Sequence, residues 1–510
     1  MRKTGRDNYV AAIALATTAT HCIVAVFHGG PVAVPDVSAY LSFPQWISGG
    51  LLPESRNFFP GYGLLLTPVS HLDGAAIHTA ALILNAVLAG CCVVGAAKLA
   101  RSFGAPYWAS VTCAVLAAVH PSLSTASRIA WPETLLVAVL LAIALLLRYE
   151  RWPIAGLITG LALAVHPRAI VLALAIVLVA AISRRLRPLT AGLVPAMAAS
   201  ALLIHVTESW PWQRLDVAAS IGDGPGPIQT LAGQWIVLSA TSAGLAAIGL
   251  FAGLRGLWKR TQPAAVTFLG VSAAGMIVLG GWVLAGSDRT DTLLYGRYIA
   301  PWVVPLTIVG LVILVRGSVS RLTVASALTS ILVSFVVVIL AGDEVHQQAR
   351  RIMTLGMGAV WQIFNTEFFP TLFTAAGLGI FGVLCARRSV LLPLIVLIAL
   401  AVSSTVTNHQ HLHRVGRIAD GQVTTAGLVP ESVQCLAHDV STKSYALWLY
   451  RLELPEIRHQ RLNIANGDEP CGRYVVATDD ILTTCGNATR LGVEPHAKWS
   501  MWLYPSEGCS

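Results

Sequence analysis

Long apolar stretches, separated by short loops with basic or turn-forming residues, follow one another along the chain as far as about residue 407. A helix needs about 17–25 mostly apolar residues to cross a bilayer, and most of these stretches approach that length. The pattern therefore predicts about thirteen transmembrane helices. They lie at residues 9–29, 75–97, 106–120, 132–148, 153–166, 168–183, 189–206, 235–254, 264–285, 299–315, 322–341, 371–386 and 390–407.

The pattern changes at about Asn408, where polar residues and turn signals such as Asn466-Gly467-Asp468 replace the apolar stretches. Short runs of strand-forming residues, such as Tyr474-Val475-Val476-Ala477, lie between the turns. We therefore expect two domains. An all-α polytopic transmembrane domain occupies residues 1–407, and a small β or α+β domain occupies residues 408–510.

The composition places this chain in a membrane. Of its 510 residues, 55% are hydrophobic and only 12% are charged, and the mean hydropathy is +0.68, which excludes the surface of an ordinary soluble protein. The net charge of +9 would suggest nucleic-acid binding in a soluble chain. Here the Lys and Arg residues lie in short clusters between apolar stretches, as topology signals do. We therefore predict a multi-pass protein surrounded by membrane lipids, without a nucleic-acid partner.

The basic clusters also predict the orientation of the chain. Short loops rich in Lys and Arg remain in the cytoplasm, so Arg2, Lys3 and Arg6 place the N-terminus there. Every second loop carries further basic residues, and an odd number of helices puts the C-terminus on the opposite, extracytoplasmic side. The sequence thus predicts a multi-pass protein of the cell membrane with its longer loops outside. These loops are residues 30–74, 207–234, 286–298 and 342–370.

The cysteines separate the two predicted domains. Four of the nine lie in the polar tail, and an even number in an exported segment predicts two disulfides, with three pairings open. The other five lie in apolar stretches, where they act as small apolar side chains. A zinc site is disfavoured because the tail lacks a Cys-x-x-Cys pair. The four tail cysteines are Cys435, Cys471, Cys485 and Cys509.

The first outer loop holds the main candidates for chemistry. Asp36 follows the first apolar stretch, Tyr40 and Arg56 come after it, and the aromatic run 58–62 can lie along a membrane interface. A carboxylate near the membrane surface, beside basic and aromatic side chains, suits a reaction on a lipid-borne polar substrate. The simpler alternative is a solvated connector.

Three further fragments follow this loop along the chain. They are Ser127-Arg128-Ile129-Ala130-Trp131-Pro132-Glu133, Gly160-Leu161-Ala162-Leu163-Ala164-Val165-His166-Pro167-Arg168 and Tyr295-Gly296-Arg297-Tyr298-Ile299-Ala300-Pro301. Over roughly residues 1–320, the whole arrangement resembles the GT-C glycosyltransferases. These membrane enzymes transfer a sugar from a polyprenyl phosphate or pyrophosphate carrier on the outer side. The resemblance implies that fold, that activity and a polyprenyl-phosphate sugar as donor.

The resemblance also implies residue roles. The acid of the first outer loop is the proposed general base in that family, so Asp36 would deprotonate the acceptor hydroxyl in an inverting transfer. The leaving phosphate gains charge and needs fixed cationic donors, independently of the resemblance. Interface anchors or helix-terminal ion pairs are the alternative roles for such arginines. The candidates for phosphate binding are Arg297, Arg168 and Arg128, and those for substrate binding are Tyr40, Arg56, His166, Glu133 and Tyr298.

The sequence leaves the substrates and the metal dependence open. Mannose and arabinofuranose both suit an envelope enzyme, and the acceptor is a glycolipid, a polysaccharide or a protein. No cofactor is assigned, because protein cations can stabilise a leaving monophosphate, and dependence on a divalent metal stays open. Asp288 and Asp291 lack further ligands in their loop. The alternating residues His409, His411 and His413 would share one side of a strand, which is a weak metal signal.

A transporter or lipid-carrier flippase is the alternative from another functional class, since it too has many spans. Such a protein typically contains internal repeats and charges near the middle of the bilayer. In this chain the charges lie at the ends of the apolar stretches, and we find no repeat. A catalytically silent envelope scaffold is a third hypothesis, so the sequence favours the glycosyltransferase over two alternatives.

Overall fold

The computed structural model describes residues 4–27, 30–52, 58–209, 224–259, 263–287, 289–317, 319–345, 350, 353–483 and 487–505. The chain divides into two compact units. The helical unit comprises Met1–Cys22, Asn85–Arg128 and Pro132–His409. The sheet unit comprises Ile23–Leu84, Ile129–Trp131 and Gln410–Ser510. The predicted domain boundary after residue 407 stays a prediction.

Most of the described chain is α-helical. The helices of the first half are α1 (Thr4–Phe27), α2 (Val34–Ile47), α3 (Gly61–Leu64), α4 (Gly74–Ser102), α5 (Tyr107–Val119), α6 (Pro121–Ser124), α7 (Glu133–Arg148), α8 (Trp152–Val165), α9 (Ala169–Ile182) and α10 (Leu186–Val206). Those that follow are α11 (Pro227–Thr241), α12 (Leu245–Lys259), α13 (Ala264–Leu284), α14 (Thr290–Leu293), α15 (Ala300–Val315), α16 (Arg321–Leu340), α17 (Gly358–Ile363), α18 (Phe368–Ala386), α19 (Leu391–Asp420), α20 (Lys443–Glu453) and α21 (Asp479–Leu482).

Many of these helices can cross a membrane. Among the described residues, seven are long and apolar enough, and the number rises to nine if each of two bent pairs is one span. The shorter apolar helices α8, α9 and α15 accompany them. The prediction of a polytopic all-α membrane protein is thereby confirmed. Several of the thirteen predicted stretches form helices shorter than a full span, such as α8 and α9 with 14 residues each.

One predicted helix is wrong. The stretch 235–254 is not a continuous span, because α11 and α12 are bent by 117° at the residues between them. Ala243 and Gly244 have positive φ angles of 45° and 75°, and the Gly244 N–H closes the end of α11 on Ser239 O at 2.7 Å. The residues around this turn are buried in the protein. The mean hydropathy of a stretch of sequence therefore does not distinguish a turn buried in protein from a continuous transmembrane helix.

Small residues bring helices of the helical unit into close contact. A Cβ atom on Gly156 of α8 would overlap Leu189 O of α10, and one on Gly192 of α10 would overlap Pro153 O. Ser200 Oγ also donates a hydrogen bond to Gly160 O at 2.8 Å. Such small-residue contacts let helix backbones approach closely where apolar surface alone provides little driving force.

The C-terminal part of the sheet unit is built on a five-stranded sheet, which confirms the small domain predicted there. The strands have the order β2-β1-β3-β5-β4. β1 runs parallel to β2 and β3, whereas β5 is antiparallel to β3 and β4. The strands are β1 (Cys435–Asp439), β2 (Arg458–Leu462), β3 (Tyr474–Ala477), β4 (Thr489–Val493) and β5 (Ser500–Leu503).

A disulfide joins the start of β1 to the loop before β3. Cys435 and Cys471 are bonded, with their Cα atoms 5.9 Å apart. This bond belongs to one of the three pairings that the sequence left open. Cys485 and Cys509 lie outside the described residues.

The described part of the first outer loop is not a solvated connector, because it packs inside the sheet unit. α2 is largely buried, and Val34 lies in one apolar cluster with Tyr450 of α20. Gln45 Nε2 donates to Leu452 O at 3.1 Å. The Leu51 N–H donates to Pro455 O at 3.0 Å. α2 and α20, which are far apart in sequence, thus pack against each other in the sheet unit.

The histidines after the last apolar stretch do not lie on a strand, as their spacing had suggested. α19 continues beyond residue 407 to Asp420 and includes His409, His411 and His413. On a helix, residues two apart point to different sides. Among the residues that the structure describes, no group of three or more His, Cys, Asp or Glu side chains is arranged to hold a metal ion.

Candidate active site

Glu133 lies between two arginines in the interior of the helical unit. Its carboxylate is fully buried, and its Oε1 accepts a hydrogen bond from Arg168 Nη2 at 2.7 Å and another from Arg297 Nε at 2.7 Å. Both arginines are themselves more than nine-tenths buried. Glu133 Oε2 has no hydrogen-bond partner among the described residues. We call Glu133, Arg168 and Arg297 the ion cluster.

The ion cluster forms where the starts of three helices meet. Glu133 is the first residue of α7, Arg168 directly precedes α9, and Arg297 lies three residues before α15. Helix N-termini carry a partial positive charge. Two guanidinium groups and one carboxylate leave a further net positive charge, since arginine stays protonated in proteins. The cluster therefore combines several sources of positive potential with one unsatisfied carboxylate oxygen.

The substrate-binding candidates His166 and Tyr298 hold Arg168 in place. His166 Nδ1 accepts hydrogen bonds from the Arg168 backbone N–H at 3.1 Å and from its Nε at 3.2 Å. The guanidinium of Arg168 lies over the ring of Tyr298, 5.1 Å from the ring centre. Arg168 Nη1 also donates to Arg297 O at 3.3 Å. The structure thus brings five candidates from the sequence into mutual contact, namely Glu133, His166, Arg168, Arg297 and Tyr298.

Arg297 is fixed through its backbone by a residue that the sequence analysis did not identify. Met353 O accepts hydrogen bonds from the Gly296 N–H at 3.0 Å and from the Arg297 N–H at 2.9 Å. Tyr295 OH donates to Met353 Sδ at 3.3 Å. Because the contact uses the carbonyl of Met353, no side-chain pattern could have indicated it.

Arg128, the third phosphate-binding candidate, lies apart from the contacts of the ion cluster. It ends a short 3₁₀ helix, Ala126–Arg128, in the helical unit. Its Nε and Nη1 atoms are buried without a hydrogen-bond partner among the described residues. The preceding Ser127 Oγ is 3.1 Å from His21 Nδ1. Buried N–H groups without partners are costly, so this guanidinium is suited to receive an anion.

Asp36 and Tyr40 lie on α2 in the sheet unit. Asp36 is half-buried in the first turn of this helix, where its backbone N–H donates to Ala33 O at 3.0 Å. Tyr40 is buried, with its ring 5.2 Å from that of Phe58 and 5.9 Å from that of Tyr62. Each ring pair meets edge to face, which fixes the tyrosine. Arg56 lies outside the described residues.

The acidic loop before α15 is engaged in structural contacts. Asp291 is fully buried and accepts hydrogen bonds from Arg289 Nε at 3.2 Å and Nη2 at 2.8 Å. It also accepts one from the Arg350 backbone N–H at 2.9 Å. Asp288, the other aspartate considered in this loop, lies outside the described residues. Asp291 therefore acts as an anchor for this loop.

The helical bundle and the C-terminal sheet domain together define an α-helical polytopic membrane protein with the fold of the GT-C glycosyltransferases. Two solved structures of ArnT from Cupriavidus metallidurans share this fold. The structure bound to undecaprenyl phosphate is 14% identical with a TM-score of 0.54, and the apo structure is 15% identical with a TM-score of 0.55. Each comparison covers 98% of both chains.

This likeness confirms the fold that the resemblance of the sequence motifs to the GT-C glycosyltransferases implied. Neither a protein-family model nor a curated protein sequence matches the chain. The likeness is therefore one of fold and is not visible in overall sequence similarity.

Proposed function

We propose that this protein is an integral membrane glycosyltransferase that transfers a sugar from a polyprenyl-phosphate carrier to an acceptor of the cell envelope. The observation that carries this proposal is the ion cluster. Its two buried guanidinium groups share one carboxylate oxygen, in a fold whose solved counterpart ArnT is bound to undecaprenyl phosphate. The cluster suits a lipid-borne anion because it is positively charged and shielded from water.

The arginines would stabilise the leaving group. As the bond between sugar and phosphate breaks, negative charge develops on the phosphate oxygens, and charge-assisted hydrogen bonds from fixed guanidinium groups lower the energy of that state. Arg297 and Arg168 are the leading donors, and Arg128 adds N–H groups that lack partners among the described residues. Glu133 serves as a positioning residue for the two clustered arginines, and His166 and Tyr298 support Arg168.

Asp36 is the proposed general base. Its carboxylate would accept the proton of the acceptor hydroxyl while the hydroxyl oxygen attacks the anomeric carbon of the sugar. Attack from the side opposite to the phosphate inverts the configuration at that carbon. Tyr40 and Arg56 are proposed to contact the substrates beside this acid.

The predicted topology places the reaction outside the cell membrane, with the N-terminus in the cytoplasm. Residues 1–407 would form the catalytic domain and residues 408–510 an extracytoplasmic domain. The transferred sugar is proposed to be mannose or arabinofuranose, and the acceptor a glycolipid, a polysaccharide or a protein. The arginines supply the positive charge for the leaving group, and addition of a chelator during the transfer assay tests for a contribution from a divalent metal.

The test is sugar transfer by purified protein. Radiolabelled mannosyl and arabinofuranosyl polyprenyl phosphates are incubated with crude envelope acceptors and either wild-type protein or Asp36→Asn. Removal of a general base lowers the rate by about 10²–10⁴-fold, so we expect donor-dependent transfer that the variant loses. Equal melting temperatures of the two proteins establish that the loss is chemical.

Asp73→Asn provides a matched control in the same loop. Asp73 Oδ1 accepts a hydrogen bond from the Ala76 N–H at 2.7 Å and caps α4, a role that asparagine retains. This variant should therefore transfer sugar at nearly the wild-type rate. If Asp36→Asn stays active and Asp73→Asn does not, the base is Asp73. If no donor supports transfer by the wild-type protein, the glycosyltransferase proposal fails and the transporter alternative gains support.

A further inference from the structure

A cavity of about 470 Å³ lies at one edge of the C-terminal sheet. Ser441, Thr478, Asp479, Asp480, Lys498 and Trp499 contribute to its lining. An adjoining cavity of about 360 Å³ shares Ser441, Thr478, Lys498 and Trp499 and extends it toward Gln422 and His496. Small-molecule sites in proteins typically measure about 300–1,000 Å³, so the space is large enough for a ligand.

The sheet topology puts this cavity at a position that favours ligand binding. β1 and β3 are neighbouring parallel strands. After β1 the chain continues to β2 on one side of this pair, and after β3 it continues to β4 and β5 on the other side. The connections therefore diverge at the carboxyl ends of β1 and β3. In open sheets with parallel strands, ligands bind in the crevice that such a divergence leaves. Ser441 follows β1 and Thr478 follows β3 directly at this crevice.

The lining has the chemistry of a polyol site. Thr478 Oγ1 and Trp499 Nε1 are buried and have no hydrogen-bond partner among the described residues. The whole side chain of Trp499 is more than nine-tenths buried. Such groups require a partner, which a ligand can provide. Asp480 is exposed at the rim and adds a carboxylate. Asp479 is already paired with Arg490 at 3.0 Å and accepts from Ser500 Oγ at 2.7 Å, so Asp480 and Lys498 balance each other in charge. This balance disfavours a charged ligand and favours a neutral molecule with several hydroxyl groups.

The loop that carries Trp499 is held rigidly. Glu494 at its start is buried, and its carboxylate accepts hydrogen bonds from Thr424, Thr425 and Tyr450 at 2.5–2.8 Å. The Glu494 backbone N–H in turn donates to Trp499 O at 3.3 Å. A preformed wall of this kind reduces the entropy that a ligand must overcome to bind.

We propose that this cavity binds a neutral saccharide through Trp499, Thr478 and Asp480. Resting on the proposed function, we assign the saccharide to the acceptor and make the C-terminal domain the part of the enzyme that recognises the growing glycan. The wall contributes the unpartnered indole N–H of Trp499, and the Asp480 carboxylate accepts hydrogen bonds from sugar hydroxyls. Donor recognition, in contrast, belongs to the cationic side chains of the helical unit.

The experiment measures binding of neutral disaccharides of mannose and of arabinofuranose to the full-length protein in lipid nanodiscs, by saturation-transfer NMR. We expect binding by the wild-type protein and about tenfold weaker binding by Asp480→Asn, which loses a charged acceptor. Trp499→Phe keeps the apolar ring but removes the N–H, and should weaken binding several-fold. Glu469→Gln makes the same charge change on an exposed residue outside the cavity and should bind like the wild type.

Two further arms separate this proposal from the proposed function. Asp73→Asn should bind the disaccharides normally, because Asp73 caps α4 and does not line the cavity. Undecaprenyl phosphate should leave their binding unchanged. Displacement by undecaprenyl phosphate, or absence of binding to the wild-type protein, overturns the saccharide site even if sugar transfer is observed. Binding that persists while transfer is absent retains the site and removes the proposed enzyme activity.

Discussion

The strongest electrostatic feature at the scale of single residues is the sharing of one carboxylate oxygen by Arg168 and Arg297. Each guanidinium is buried, so its positive charge is costly unless an anion lies nearby. Glu133 provides that anion and keeps both groups at fixed positions. Its second oxygen, without a partner among the described residues, shows that the arrangement leaves one hydrogen-bonding position unused.

We expect Glu133→Ala to destabilise the protein strongly. Removing one partner from a buried ion pair costs about 3–5 kcal/mol, because the remaining charge is left uncompensated. Glu133→Gln keeps one acceptor oxygen and should cost less. If Glu133 positions the arginines, the Gln variant should raise the apparent KM for the lipid donor more than it lowers kcat. The melting temperature in detergent and the dependence of transfer on donor concentration measure both effects.

Glu150→Gln is the matched control for this prediction. Glu150 also pairs with an arginine, Arg185 at 3.0 Å, but the two side chains are 71% and 49% exposed. Surface ion pairs contribute about 0–1 kcal/mol, so this variant should melt like the wild type. Equal losses of stability in Glu133→Gln and Glu150→Gln would contradict the assigned difference between the buried and exposed pairs.

The sequence identified the three residues of the ion cluster as candidates but did not indicate that their side chains contact one another. Arg297 and Arg168 were identified because they lie in fragments that resemble GT-C motifs and because the leaving phosphate needs cationic donors. The alternative role of a helix-terminal ion pair applied to each separately. Glu133 lies 35 residues from Arg168 and 164 residues from Arg297. No local periodicity relates positions so distant, since their contact depends on how the helices pack.

At the scale of secondary-structure elements, Glu494 provides most of the hydrogen bonds that join the β4–β5 loop to the segment after α19, and Gln422 Nε2 adds one to His496 O at 2.7 Å. The Glu494 carboxylate accepts hydrogen bonds from two backbone N–H groups and three hydroxyl groups. These bonds hold the pKa of Glu494 below its usual value, although burial acts in the opposite direction. The negative charge of this group is therefore part of the folded domain.

Glu494→Gln should loosen this contact. A glutamine side chain has one acceptor oxygen, so its NH₂ group would face donors that now bind the second carboxylate oxygen. Leaving buried donors without partners costs about 1–3 kcal/mol. Faster amide hydrogen exchange at residues 421–429 of the full-length protein is the expected result, whereas Glu469→Gln should exchange like the wild type. Unchanged exchange in Glu494→Gln would contradict the structural role.

The elements themselves were predictable to different degrees. Apolar length was sufficient to locate the long helices, because crossing a bilayer requires it. It did not reveal the turn between α11 and α12, where burial in protein makes a turn as apolar as a span. Nor did it reveal that α2 forms part of the sheet unit, since packing against α20 leaves no pattern in a short segment.

At the scale of the whole molecule, stability of the sheet unit depends on two buried histidines. His438 Nε2 lies 2.9 Å from His459 Nδ1, and His459 Nε2 lies 3.0 Å from Leu454 O. Leu454 O can only accept a hydrogen bond, so His459 Nε2 carries the proton of the neutral ring. His459 Nδ1 then accepts a hydrogen bond from His438 Nε2. The pair is thus neutral, and it supports the turn that also binds Gln45 and Leu51.

We expect the sheet unit to lose stability as the pH falls from about 6.5 to about 4. Burial lowers the pKa of His459 to about 4 and holds the pKa of His438 well below its usual value. In this interval the unfolded chain binds protons that the folded one excludes, so protonation favours unfolding. Melting temperatures of the full-length protein between pH 8 and pH 4.5 should be constant above pH 7 and fall below it. A flat profile down to pH 4.5 would refute this assignment.

The packing of α2 against α20 also has a consequence for biosynthesis. Gln45 and Leu452, which are joined by a hydrogen bond, lie 407 residues apart. At about 5–20 residues per second, the ribosome needs roughly 20–80 s to make the intervening chain. During that time the helix that carries Asp36 is present without its packing partner. The protein can therefore complete its proposed catalytic loop only after α20 has been synthesised and has packed against α2, so we expect a chain that ends before α20 to show no sugar transfer.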